Sequence, residues 1–165
     1  MNKSAAYRHH LITLCIACGL LFAGCAEPSD EPTMTVYEAT LNNNLEQVQA
    51  NIAHGADLNA LTADGDYGRY SALHAASRAG YVDIVRALID AGADVNIEAD
   101  APHRAAPLHW AARAGHLEAV VLLVEAGAEV NKASGLDDSL TPMRVALDGG
   151  HDDVVEYLAS NGGRL

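Results

Sequence analysis

Ser71-Ala72-Leu73-His74-Ala75-Ala76-Ser77-Arg78-Ala79-Gly80, then Tyr81, Val82 to Ala91 and Gly92, is the stretch whose reading decides the fold. Ser71 is a good N-cap, because its hydroxyl can satisfy a backbone N–H orphaned at a helix start. A short helix running to Ala79 follows from it. Gly80 ends that helix by tolerating the left-handed backbone of a tight exit. A second helix over 82–91 sets Val82, Val85, Leu88 and Ile89 on one stripe, and Gly92 closes it in the same way. Ala93-Asp94-Val95-Asn96 leads into a turn.

The same unit recurs along the chain. Gly55, Gly92, Gly127 and Gly162 are spaced 37, 35 and 35 residues apart. Val36, Leu73, Leu108 and Met143 keep that spacing, as do Asn59, Asn96 and Asn131. The third unit is Ala106-Pro107-Leu108-His109-Trp110-Ala111-Ala112, Gly115, a helix over 116–126, Gly127 and Ala128 to Asn131. The fourth runs from Thr141-Pro142-Met143-Arg144-Val145-Ala146-Leu147 through Gly150 to a helix over 151–160 and Gly162. In the first unit Val36, Ala39, Leu45, Val48 and Ile52 hold the apolar positions and the opening turn is missing. Asn43 replaces its first glycine, Asn being the next most tolerant residue there. Such a period marks stacked units, each of which buries its apolar face only against its neighbours. The expected fold is an all-α solenoid of about four helix-turn-helix repeats joined by hairpin loops, at about 34–66, 67–101, 102–136 and 137–165.

These residues resemble the ankyrin repeat. SALHAASRAGYVDIV, PLHWAARAGHLEAV and TPMRVALDGGHDDVV match its helix–glycine–helix core, and GADLN, GADVN and GAEVN match its closing turn. A degenerate first unit and a shortened last one are what terminal capping repeats look like. The family period is about 33 residues. Here the loops over 60–70 and 97–105 are longer, which extends the fingers, one edge of the groove in this family.

The resemblance implies a non-catalytic protein-binding scaffold, with partners touching the finger tips and the exposed side of the first helices. On this chain that surface falls at Tyr67, Arg69 and Tyr70 in the first finger and Pro102, His103 and Arg104 in the second. It continues over Arg78, Trp110, Arg113 and Asp148 on the first helices and Asp137 and Asp138 on the last finger. Tyr, Trp and Arg dominate binding hot spots. The expected partner-binding set is therefore Tyr67, Arg69, Tyr70, Arg78, His103, Arg104, Trp110 and Arg113, facing a protein with an acidic or carboxylate-rich epitope. The plainer alternative makes Trp110 partly buried between helices and the arginines ordinary surface charge.

Residues 1–24 stand apart. Lys3 and Arg8 precede an apolar run from Leu11 to Phe22, and Ala23-Gly24-Cys25 follows. A positive start, a short apolar core and small residues before a cut point mark a secretory signal. The run is shorter than the roughly 20 residues that span a bilayer, although an uncleaved short anchor is the alternative. Leu21-Phe22-Ala23-Gly24-Cys25 resembles the lipobox of bacterial lipoproteins, with Phe22 in place of the usual Leu. The resemblance implies cleavage before Cys25, lipidation of its sulfur and, with Ala26 rather than Asp following, an outer-membrane address with the domain on the periplasmic side. Residues 25–33, with two prolines and three acids, read as a flexible tether. Residues 34–165 form the repeat domain.

Charge narrows the partners. The chain carries 10 basic and 22 acidic side chains. Without Lys3 and Arg8 the balance is 8 to 22, which argues against nucleic acid or anionic lipid as general partners. Cys15 and Cys18 lie in the signal, so stability after export rests on packing alone, and a monomer is expected.

No residue set reads as a catalytic or cofactor site. The serines lack a nucleophile-elbow context and the glycines serve as helix caps. His74 and His109 read as imidazoles tying adjacent units together, and His116 and His151 hold another repeat position. His54 lies near a helix C-terminus, where positive charge is favoured. His103 with His109 is too small a set for a metal. The acid pairs Asp64/Asp66, Asp137/Asp138 and Asp152/Asp153 read as solvated charge or helix N-terminal acids. Two specific roles stay open beside the general scaffold: an immunity protein neutralising a toxic effector, and a stress-related partner of a periplasmic enzyme.

Overall fold

A computed structural model describes residues 31–63, 68–100, 104–135 and 140–165. The signal, Cys25 and its lipidation, and the start of the tether lie outside the described residues. Eight helices occur among those described: α1 (Val36–Leu41), α2 (Leu45–Ala53), α3 (Ala72–Ala79), α4 (Val82–Asp90), α5 (Pro107–Ala114), α6 (Leu117–Glu125), α7 (Pro142–Gly149) and α8 (Asp152–Ser160). The first helices pack in the order α1, α3, α5, α7, and the second helices behind them in the order α2, α4, α6, α8. None of the described helices is long and apolar enough to cross a membrane.

Local chemistry explains the boundaries. Ser71 caps α3, accepting at Oγ from the His74 N–H, and Thr141 does the same for Arg144 at the start of α7. The first unit, which lacks the opening turn of the others, is capped all the same. Thr35 and Glu38 form a reciprocal capping box at the start of α1, Thr35 Oγ1 accepting from the Glu38 N–H and Glu38 accepting from the Thr35 N–H at 2.9 Å. Asn43 sits at φ 51°, in the left-handed region that Gly80 occupies at φ 72° one unit later.

Gly80 also faces a steric demand. A Cβ there would lie 2.6 Å from the His116 imidazole of the next unit, and Gly115 is similarly crowded by His151. Only glycine combines the left-handed exit with that close approach.

The core runs between the two helix layers. Val48, Leu73, Ile84, Val85, Leu88, Leu108, Val120, Leu123, Val154 and Leu158 are essentially inaccessible, with alanines such as Ala76 and Ala111 letting the helices approach. Each buried Leu or Val contributes about 1.5–3 kcal/mol relative to exposure. On α4 the buried set is Ile84, Val85 and Leu88, with Val82 and Ile89 half-buried. The stripe is shifted from the expected one because α4 packs against α2, α3 and α6 at once.

Between units the fingers make a small antiparallel ladder. β1 (Thr62–Ala63) pairs with β2 (Arg69–Tyr70), and Arg69 in turn bridges to Asp100 of the next finger. Ser134 pairs with Leu140 in the third. The repeat asparagines lock successive units. Asn59 Oδ1 accepts from the Asp94 N–H at 2.9 Å, Asn96 Oδ1 from Glu129 at 2.8 Å, and Asn131 Oδ1 from Arg164 at 2.7 Å.

Candidate partner-binding site

The histidines come first, because they are the residues most easily mistaken for a site. His74 Nδ1 accepts from the Ser71 N–H at 3.2 Å, and its Nε2 lies 3.0 Å from the Ala105 carbonyl of the next unit. His109 repeats this, with Nδ1 accepting from Ala106 N–H and Nε2 facing the carbonyls of Lys132 at 2.9 Å and Leu140 at 3.2 Å. Both geometries suit a neutral ring that donates from Nε2 and accepts at Nδ1. Burial pushes His74 down to about 4 and lowers His109 as well. Ser71 Oγ is 2.9 Å from His74 Nδ1, a pairing that could suggest a nucleophile and its base. Ser71 is fully buried and His74 is 2% exposed, and both ring nitrogens of His74 are engaged within the fold, at Ser71 N–H and the Ala105 carbonyl. His109 has both nitrogens committed to backbone, which leaves no lone pair for a metal shared with His103. His116 and His151 reach back to the carbonyls of Arg78 and Arg113 at 3.2 and 3.0 Å, stapling each unit to the one before.

What remains is a cleft of about 250 Å³ on the exposed side of the first helices. Tyr37 and Leu41 of α1, Tyr70 of β2, Ala75 and Arg78 of α3 and Trp110 of α5 line it. Tyr70 meets Trp110 edge to face at 5.5 Å and 87°, and stands 6.1 Å from the His74 ring. The Arg78 guanidinium lies 5.5 Å from the centre of the Trp110 ring. Tyr37, Tyr70 and Ala99 form a small apolar cluster of their own, with Ala75 and Trp110 against it.

Of the residues expected to meet a partner, Tyr70, Arg78 and Trp110 are therefore brought together. Two further expectations change in detail. Tyr70 is turned inward rather than displayed on the finger, at 7% exposure, because its neighbour Arg69 is the outward residue of β2. Trp110 is half-buried, and its Nε1 has no hydrogen-bond partner among the described residues.

Arg69 and Arg104 lie apart from the cleft, and each is occupied by the fingers, Arg69 by its own and the next, Arg104 by its own. Arg69 donates from Nε and Nη2 to the Leu61 carbonyl and pairs with Asp100 at 3.5 Å. Arg104, at φ 45°, pairs with Glu98 at 2.9 Å, and Lys132 reaches the same carboxylate at 3.1 Å. The Arg104 hydrogen bond holds the Glu98 carboxyl below its ordinary range. Arg113 is exposed one repeat beyond Arg78. Tyr67, Pro102, His103, Asp137 and Asp138 lie outside the described residues.

Sequence reasoning missed Tyr37, Thr40 and Leu41. The first unit departs most from the repeat pattern, so its residues read as a worn cap. The signal was present in the register: Tyr37 stands where later units have His74 and His109, and Leu41 where they have Arg78 and Arg113.

Comparison with known proteins agrees with this architecture. The family model for ankyrin repeats matches three times, at residues 5–99, 34–134 and 98–165. Over 63 residues the chain is 40% identical to the B-cell lymphoma 3 protein homolog of Mus musculus. That match spans 38% of this chain and 13% of the mouse protein, so it bears on the repeats alone. The repeat spacing, the paired helix layers and the family match together place the chain in the ankyrin-repeat family.

Proposed function

We propose that this chain is a non-catalytic scaffold that binds a protein partner in the bacterial periplasm while a lipid on Cys25 tethers it to the membrane. The observation that carries the binding reading is the aromatic cleft with Arg78 at its rim, on the side of the first helices away from the core. The repeat-position residues His74, His109, Asn96 and Asn131 are spent inside the fold, each bonded to backbone of the next unit. The tether reading rests on the positive start, the apolar run and Ala23-Gly24-Cys25. Several acyl chains, at about 0.8 kcal/mol per buried methylene, would hold an acidic domain firmly at a membrane.

Site-specific photocrosslinking in intact cells tests the binding half. A photoreactive residue at Ala79, exposed beside the cleft, should give a discrete protein adduct, whereas one at Glu156, exposed on α8, should not. No adduct at Ala79, or the same adduct from both positions, would refute it. The adduct's identity separates a toxic effector from a periplasmic enzyme. Metabolic labelling with a palmitate analogue tests the tether: Cys25→Ser should lose the label and move the protein to the soluble fraction. Retained label would remove Cys25 from that role.

A further inference from the structure

Two arginines differ from the other cations on the first helices and fingers, while Arg86, on the second helix α4, is likewise without an ion pair among the described residues. Arg69, Arg104, Lys132 and Arg144 each lie within 4.0 Å of a carboxylate. Arg78 and Arg113, one repeat apart on α3 and α5, have no such partner among the described residues. Glu38 on the neighbouring α1 is turned away onto its own N-cap, accepting from Thr35 N–H at 2.9 Å and Thr35 Oγ1 at 3.0 Å. Arg78 instead lies against the Trp110 ring at the rim of an apolar hollow. Ala75 occupies the register that Trp110 fills one unit later, and that exchange of large for small opens the hollow. Leu41, 49% exposed, forms its far wall.

Resting on the protein-binding reading above, we propose that this cleft receives one bulky apolar side chain of the partner, with a carboxylate beside it on the same segment paired to Arg78 and a second carboxylate paired to Arg113. The volume fits a single side chain better than a drug-sized ligand, whose pockets run about 300–1,000 Å³. The guanidinium is a planar fork that matches a carboxylate at two points, and contact with Trp110 holds it for that pairing. Neighbouring helices lie about 8–10 Å apart, and an extended chain advances about 3.3 Å per residue. The two acids therefore sit about three residues apart on a segment that runs across the first helices. The acidic remainder of the domain repels a segment whose acids are spread elsewhere, so the same charges that bind also select.

The test pans a phage-displayed library of random peptides, about a dozen residues long, on the full-length chain in mild detergent. Binders are then titrated against the fluorescence of Trp110, the only tryptophan. Selected peptides should pair Phe, Leu or Trp with an adjacent Asp or Glu and shift the Trp110 emission saturably. Arg78→Glu should weaken them at least tenfold and Arg113→Glu several-fold, with circular dichroism melts nearly unchanged. Replacing the peptide's acid with Lys should restore binding to Arg78→Glu. Peptides without acid enrichment, or undiminished binding to Arg78→Glu, overturn the inference. So does 3-phenylpropionate binding as tightly as the peptides, which would assign the cleft to a small acid, and so does failure to select any peptide. An adduct at Ala79 in cells would in each of those cases leave the scaffold reading standing, and its absence would remove both.

Discussion

Acid should loosen this fold through His74, and the size of the effect follows from its surroundings. The ring is 2% exposed, accepts at Nδ1 from Ser71 N–H and faces the Ala105 carbonyl with Nε2, so the folded state wants it neutral. Its pKa falls from 6.5 to about 4 on folding. A depressed pKa means that the unfolded chain binds the proton first. The stability is then fully present above about pH 6.5, is lost as pH falls from there towards 4, and loses nothing more from this group below that. Linkage over that shift gives a loss of about 2 kcal/mol between pH 7.5 and pH 5 and about 3 kcal/mol in all. For a domain of roughly 5–15 kcal/mol that is a large fraction. His109, also lowered, acts in the same direction. Urea denaturation at half-unit steps from pH 7.5 to 5 measures it, a range that stays above most carboxylate titration. His74→Gln should be less stable at pH 7.5, because it disturbs the bonds to Ser71 and Ala105, yet should show a flatter pH dependence. A variant as steep as the parent, or a parent with no slope between pH 6.5 and 5, would refute the reasoning.

Glycine replacement separates backbone strain from crowding. Gly80→Ala meets both a left-handed backbone and the His116 ring, and should cost well over the roughly 1–2 kcal/mol expected of Gly55→Ala, whose Cβ meets nothing within 4 Å. Chemical denaturation of the pair should show that order, and equal losses would discount the contact. Leu108→Ala, at 1% exposure in the middle of the stack, should cost about 2–5 kcal/mol in the same assay. Asn96→Ala removes the bonds to Glu129 N–H and the Gly127 carbonyl. It should cost about 1–2 kcal/mol and speed hydrogen exchange at the Glu129 amide relative to the Asp94 amide, which Asn59 holds.

The fold could be read because its instructions are local. Ser71 and Gly80 bound a helix from within ten residues, and the spacing of Gly92, Gly127 and Gly162 repeats that instruction down the chain. The roles of His74 and Asn96 were also legible, since each recurs at a fixed place in the unit and closes a bond to the next. Legibility failed in the first unit. Thr35 and Glu38 make a capping box there, but without the Pro or Leu-His step that marks the later helices, and the cap went unread.

By itself the sequence determined a stack of helical pairs, the glycines and histidines that join them, and a short set of aromatic and arginine residues free of repeat duty. Which of those residues act together was decided only by the tertiary structure. Tyr37, Tyr70, Arg78 and Trp110 meet because stacking lays α1, α3 and α5 side by side, bringing residues more than thirty positions apart into one cleft. The same stacking turns Tyr70 inward, and the finger ladder ties Arg69 to Leu61 and Asp100. Caps and periodicity are set by neighbours in the chain, whereas a side chain's freedom to meet a partner depends on what the next repeat places beside it.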